Sequence, residues 1–139
     1  MRSIKFIEKE DLPIIIPLLE LVNEGTDMAV LHERLQAMMA ANYRCVGVFD
    51  EAEVVGICGV WILVKHYVGR HIELDNVVLL PAYRSMGIGE EMILWIESWA
   101  GQQGYVAGEL NCYVNNSAAI KFWLNQGYKI LGFHFQKKL

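Results

Sequence analysis

The run Leu79-Leu80-Pro81-Ala82-Tyr83-Arg84-Ser85-Met86-Gly87-Ile88-Gly89 constrains this chain more than any other segment. It leaves an apolar, strand-like stretch and enters an amphipathic helix on which Ile88, Met92, Trp95, Ile96 and Trp99 recur at helical spacing. Arg-x-x-Gly-x-Gly at such a turn suits a phosphate. Glycines let the backbone approach a ligand closely, and the free N–H groups of the first helical turn point at the anion, aided by the helix dipole. Two other phosphate loops fit less well. No Lys follows Gly89 as a P-loop requires, and Met92 stands where a dinucleotide fingerprint places its third glycine. A helix that merely begins with glycines is the plain alternative.

A chain of 139 residues is one domain (1–139) by size. It is long enough to bury a core without a metal or disulfide staple. With 54% hydrophobic and 20% charged residues it reads as a packed globular protein. No apolar run reaches the roughly 18 residues of a membrane span, and acidic residues follow the first strand-like segment where a signal peptide needs an apolar core. A cytoplasmic location is therefore the expectation. Cys45, Cys58 and Cys112 sit in apolar segments and read as reduced core thiols. The four histidines show no metal-ligand spacing with them, so no metal is expected. The net charge of −4 without a basic cluster argues against nucleic acid and is compatible with a cationic amine.

Periodicity predicts a first strand over 3–8 and a helix capped by Asp11, with Leu12, Ile15, Ile16, Leu19 and Val22 as its buried stripe. A second helix is expected over 28–41, then a hairpin of 43–49 and 54–64. Residues 70–80 read as a strand, 87–103 as a helix, 106–114 as a strand and 117–126 as a helix closed by Gly127. Residues 129–139 read as one or two closing strands. The order predicts one α/β domain whose mixed sheet of six to seven strands is flanked by four helices.

The strand feeding the phosphate loop carries two carboxylates. Strict alternation puts His71, Glu73, Asp75, Val77 and Leu79 on one face and Ile72, Leu74, Val78 and Leu80 on the other. Glu73 and Asp75 are candidate bases, since partial burial raises a carboxylate's pKa. Pairing with Arg70, Arg84 or a lysine, or simple solvation, is the structural alternative for each.

The phosphate turn, the element order and a second segment, Asn116-Ser117-Ala118-Ala119-Ile120-Lys121-Phe122-Trp123 with Gly127 and Tyr128, resemble the GCN5-related N-acetyltransferase (GNAT) family. The resemblance implies a single GNAT-like domain that moves an acetyl group from acetyl-CoA to a primary amine by direct attack. It implies that Val77, Val78 and Leu79 lend backbone groups to the pantetheine arm, in a strand that splays from its neighbour. Arg84, Ser85, Met86, Gly87, Ile88, Gly89 and Glu90 would surround the pyrophosphate. Asn116, Ala119 and Trp123 would lie on the helix that crosses the cofactor, although Asn116 equally suits a helix N-cap.

One departure from the family pattern matters. Trp123 occupies the position of a tyrosine that protonates the leaving thiolate in many members, and an indole cannot give up that proton. Tyr113 and Tyr128 are substitutes to consider, and Glu109 is a fallback base. The expected acceptor lining, by resemblance, is Glu24, Asp27, Met28, His32, Trp61, Tyr67 and His71. The acceptor is a small-molecule or protein amine, with no nucleic acid or membrane partner and a homodimer left open. The rival reading is a non-catalytic acyl-CoA-binding module on the same fold.

Overall fold

The computed structural model describes all residues 1–139. Strand β1 (Arg2–Phe6) leads into a 3-10 helix (Lys9–Ile15) and then α1 (Ile16–Val22) and α2 (Met28–Met39). Strands β2 (Tyr43–Asp50), β3 (Glu53–Lys65) and β4 (Gly69–Leu79) follow as a meander, then α3 (Ile88–Gln102), β5 (Gly108–Leu110) and α4 (Ser117–Asn125). The sheet runs β1-β2-β3-β4-β5, antiparallel except for the parallel pair β4–β5.

Alternating side chains divide this sheet between two cores. Tyr43, Cys45 and Phe49 pack with the 3-10 helix, α1 and α2, while Val46, Val48 and Val60 pack with Ile88, Met92, Ile93 and Ile96 of α3 and with Trp123 of α4. Both faces are covered, as the mixed sheet requires.

Several elements differ from the sequence reading. The sheet has five strands rather than six to seven. The strand expected over 106–114 shortens to Gly108–Leu110, and 129–139 forms no strand. The first helix does not start from Asp11. Two prolines four residues apart, Pro13 and Pro17, each remove an N–H donor, so the segment begins as a 3-10 helix and becomes α-helical only at Ile16, where Pro17 sits harmlessly in the first turn. Asp27 caps α2 by accepting from the Ala29 N–H at 2.9 Å.

The consequential difference lies in β4. Ile72 and Leu74 join the α3 side, but so do Val77 and Leu79, while Val78 packs on the α1–α2 side. A spacing of three between Leu74 and Val77 breaks strict alternation. The register explains it: Gly59 pairs with Asp75 and Ile57 with Val78, so Cys58 alone faces Asn76 and Val77. This is a β-bulge. Asn76 takes φ 51, the left-handed region that Asn tolerates better than other side-chain-bearing residues. Its N–H donates to Asp75 Oδ1 at 2.8 Å, which fixes the kink. Opposite it, a Cβ on Gly59 would lie 2.6 Å from Tyr43 and 3.0 Å from the Asp75 carbonyl, so only glycine fits there.

Asn76→Val places a β-branched residue in this left-handed position and is expected to cost on the order of 1–3 kcal/mol. Asn76→Gly should be nearly neutral by comparison. Urea denaturation of both proteins measures the difference, and equal stability would show that the bulge does not depend on the left-handed conformer.

Candidate functional site

Beyond Leu74 the parallel strands part, because β4 and β5 pair only over Ile72–Leu74. The end of β4, the following turn and α4 together enclose a cleft of about 460 Å³. Its lining combines Leu79, Ser85, Gly87, Ile88, Gly89 and Glu90 with Phe122, Asn125 and Gln126 of α4. The turn is built for this opening. Pro81–Tyr83 forms a 3-10 turn, and Ser85 (φ 61) and Gly87 (φ 78) then adopt left-handed conformations. Gly87 is the N-cap of α3 and a Cβ there would meet nothing within 4 Å, so its need for glycine is conformational. Gly87, Ile88, Gly89 and Glu90, whose N–H groups have no partner within the helix, form this wall of the cleft, an arrangement suited to an anion. Arg84 donates from Nε to the Leu79 carbonyl at 3.2 Å and thereby braces the turn.

The residues of the second sequence segment are placed differently from one another. Asn116 caps α4, its Oδ1 accepting from the Ala119 N–H at 3.1 Å. Ala119 packs against the α3-side core. Trp123 is buried in that core between Phe122 and Tyr128, with ring centroids at 5.0 and 5.2 Å. Phe122, not Trp123, lines the cleft beside Gly89, and Met86 and Val78 do not line it. Neither substitute tyrosine faces it as an acid. Tyr128 donates to Glu97 Oε2 at 2.9 Å, and burial together with that carboxylate pushes its pKa upward. Tyr113 is exposed on the loop after β5.

On the other face of the sheet a smaller cavity, about 130 Å³, lies between the helices α1 and α2 and the β4 bulge. Leu19, Asn23, Leu31, Arg34, Leu35 and Met38 form its helical wall, with Trp61, Asp75 and Asn76 from the sheet. Trp61 Nε1 donates to Asp75 Oδ2 at 3.1 Å, which orients the carboxylate. Asn76 Oδ1 is buried without a hydrogen-bond partner in the chain, a cost that a donor arriving in the cavity would remove. Arg34 makes no salt bridge. Of the expected acceptor lining only Trp61 reaches this cavity; Asp27 is spent on its cap, and Glu24, Met28, His32, Tyr67 and His71 lie elsewhere.

Glu73 and Asp75 therefore have different surroundings although they share a strand face. Glu73 accepts from Lys65 Nζ at 3.0 Å and lies 3.2 Å from His71 Nε2. Burial pushes the Glu73 carboxyl up, but Lys65 and His71 outweigh it and hold the group below its ordinary value, the reverse of the raised pKa expected from the sequence. His71 is fully buried, with Nδ1 3.0 Å from the Gly69 carbonyl and Nε2 3.7 Å from Glu109 Oε1, which also accepts from the Tyr67 hydroxyl. His71, Glu73 and Glu109 bring ligand-type atoms within 4.8 Å of one another. Sequence spacing hid this grouping because two parallel strands assemble it, and Lys65 and Tyr67 already satisfy its carboxylates. Burial pushes the Cys45 thiol up to about 12 and the Cys58 thiol higher, which removes both as nucleophiles.

The sequence reading missed Asn23, Arg34 and Asn76 in the small cavity and Phe122, Asn125 and Gln126 in the cleft. An Asn interrupting an apolar strand was the one available signal. The others lie on helix faces that look ordinary until the strands place them.

Residues 15–128 match the model of the Acetyltransferase (GNAT) family. The chain is 33% identical over 88 residues to the aminoalkylphosphonate N-acetyltransferase of Salmonella typhimurium (strain LT2), a match covering 63% of this chain and 57% of that protein. The fold superposes on the aminoglycoside N-acetyltransferase AAC(6')-Iy in complex with CoA at a TM-score of 0.84, with 15% identity over 99% of this chain and 95% of that one. A metagenomic aminoglycoside acetyltransferase from uncultured soil, in complex with sisomicin, matches at 0.82, with 19% identity over 99% of this chain and 96% of that one.

A carboxyl with a depressed folded pKa contributes stability above its unfolded value of about 4.3 and loses it as pH falls through the folded value. The stability gap between wild type and Glu73→Gln should therefore be fully open at neutral pH and close below about pH 4. Denaturation series across pH check this; a gap unchanged at low pH would show that Glu73 is not ion-paired.

Proposed function

The chain belongs to the acetyltransferase (GNAT) family, and on that premise we propose that it transfers an acetyl group from acetyl-CoA to the nitrogen of a small primary amine. The cleft at the start of α3 takes the pyrophosphate on the N–H groups of residues 87–90, with Ser85, Met86 and the Arg84-braced turn around it. The pantetheine arm follows the unpaired edge of β4 along Val77, Val78 and Leu79, under α4 with its Asn116 cap, Ala119 and Phe122. The thioester then lies near the bulge, between the two cavities.

The amine enters from the α1–α2 side. Asp75 accepts its proton, directly or through water, and the freed lone pair attacks the thioester carbonyl carbon. A β4 N–H stabilises the oxyanion and the C–S bond breaks; the departing CoA thiolate, tolerable because a thiol titrates near ~8.5, takes the second nitrogen proton directly or through water, so that a neutral amide and CoA thiol leave. Glu73 stays ionised in its pair with Lys65 and His71 and holds the field around the amine.

The observation that carries this reading is the pairing of Asp75 and the unpartnered Asn76 Oδ1 in one small cavity at the strand that also borders the cleft. The cavity's 130 Å³ suits an amine of a few heavy atoms and is far below the roughly 300–1,000 Å³ of sites for drug-sized ligands. Arg34 on its wall favours an amine that also carries an anionic group, in keeping with the name of the Salmonella relative. The absence of a tyrosine hydroxyl in the cleft favours a second reading, an acyl-CoA-binding module without turnover, which CoA release with any amine would exclude.

The test is CoA release across a panel of amines. Small aminoalkyl acids should be acetylated in preference to aminoglycosides. Asp75→Asn should lower kcat by about 10²–10⁴-fold, and Arg34→Gln should raise KM for the anionic amines with kcat little changed. Wild-type turnover in Asp75→Asn would remove it as the base. Calorimetric titration supplies a separate check: Gly87→Val should weaken CoA binding at least about tenfold in a folded protein, since the bulky residue cannot hold the left-handed turn. Unchanged affinity would move the pyrophosphate elsewhere.

A further inference from the structure

Asp75 and Asn76 are neighbours in one strand, and in a regular strand consecutive side chains point to opposite faces. Both nevertheless line the small cavity between α1, α2 and the sheet. The bulge brings them together, because the left-handed conformation of Asn76 (φ 51) shifts the phase of the pleat by one residue. The two oxygens of Asp75 accept from the Asn76 N–H at 2.8 Å and from Trp61 Nε1 at 3.1 Å, and each keeps capacity for a further donor. Asn76 Oδ1, by contrast, is buried and accepts from nothing in the chain. Glycine holds a left-handed backbone with the least strain, as Gly69 (φ 83) does at the start of β4. At the bulge the chain keeps a side-chain amide instead, which lowers stability for as long as its oxygen stays unpartnered. A local choice that works against stability in this way marks a functional group.

We propose that Asn76 determines specificity in the acetyl transfer proposed above, on which this inference rests: its Oδ1 holds the N–H that the acceptor nitrogen keeps, and so admits primary amines and rejects N-alkylated ones. A primary ammonium carries three N–H protons. Asp75 takes one, which frees the lone pair to form the N–C bond at the thioester carbon. As the C–S bond breaks, the CoA thiolate takes the second, and the third remains on the product amide. Asn76 Oδ1 accepts a hydrogen bond from that third N–H without receiving its proton, since a neutral side-chain amide acts only as an acceptor there. With one N–H held at Asn76 and another directed at Asp75, the nitrogen is fixed in orientation before it attacks. Leu31, Leu35 and Met38 on the helical wall supply no competing acceptor. A secondary ammonium has only two protons. Asp75 and the thiolate take both, and none is left for Oδ1. A site built around an N–H discriminates strongly against a ligand that lacks it, because its own buried polar group is then left unpaired.

The experiment measures kcat/KM for the small aminoalkyl acid that the wild type acetylates fastest and for its N-methyl derivative. Wild type, Asn76→Gly and Asn76→Asp are compared. The wild type should prefer the primary amine on the order of 10²-fold or more. Asn76→Gly suits the bulge's backbone and should keep the CoA affinity, measured by calorimetry. It should nevertheless lose at least about tenfold on the primary amine and little on the N-methyl one. Asn76→Asp keeps an acceptor of the same outline in a residue that tolerates positive φ, and should keep the preference. That second variant decides the matter if glycine loosens the strand. An unchanged primary-amine rate in Asn76→Gly, an equal loss on both amines, a gain on the N-methyl amine alone, or a preference lost in Asn76→Asp overturns the inference and leaves the acetyl transfer standing. A wild type that turns over no amine overturns the acetyl transfer itself, and this inference with it.

Discussion

One backbone kink organises the whole site. At Asn76 the chain takes a left-handed conformation inside a strand, and the pleat changes phase. Up to Asp75 the polar residues of β4 face the α1–α2 layer; after it, Val77 and Leu79 turn to the α3 layer and Val78 takes the opposite core. Without the bulge, Asp75 and Leu79 would project from the same face of the sheet, and the small cavity and the large cleft could not meet at one strand. The constraint propagates outward. Gly59 must stay bare for β3 to pass the kink, Trp61 fixes the carboxylate that the kink exposes, and β5 leaves the sheet just before it.

Electrostatics then separates two carboxylates that sequence spacing makes equivalent. Glu73 lies among Lys65, His71 and Glu109, where the Lys65 ammonium and a hydrogen bond with the His71 ring keep it charged and weakly basic. Asp75 has only neutral donors, the indole of Trp61 and the Asn76 amide. A base must be able to take a proton and pass it on, and a carboxylate held by an ammonium at 3.0 Å does that poorly. The proposed division of labour follows: Glu73 sets the field and Asp75 exchanges the proton.

Much of this was legible from local chemistry. The turn from Leu79 to Gly89 announces itself because phosphate-type loops need small residues at fixed places beside a helix start, and the hairpin between β2 and β3 follows from its polar break. What remained hidden depends on long-range geometry. Strict alternation mis-assigns Val77 and Leu79 because a bulge costs only one residue and leaves a single Asn as its trace. Trp123 looks like a cofactor contact by its place in the motif, but the helix turns Phe122 into the cleft and Trp123 into the core. Arg34 on an exposed helix face gives no signal until the sheet puts Asp75 opposite it. The closing residues have the alternation of a strand, yet pairing is a property of two strands, and in this structure residues 129–139 pair with none.

The central claim is that the turn after β4 and the bulge within it hold the two reactants on either side of one strand. Titrating isotope-labelled protein with acetyl-CoA while following backbone amide shifts tests it most directly. The account predicts the largest changes at Gly87, Ile88, Gly89 and Glu90, continuing along Leu79, Val78 and Val77 and stopping at the bulge, with α2 little affected. Changes centred on α2 and the small cavity, or on His71 and Glu109 while the turn stays silent, would contradict it.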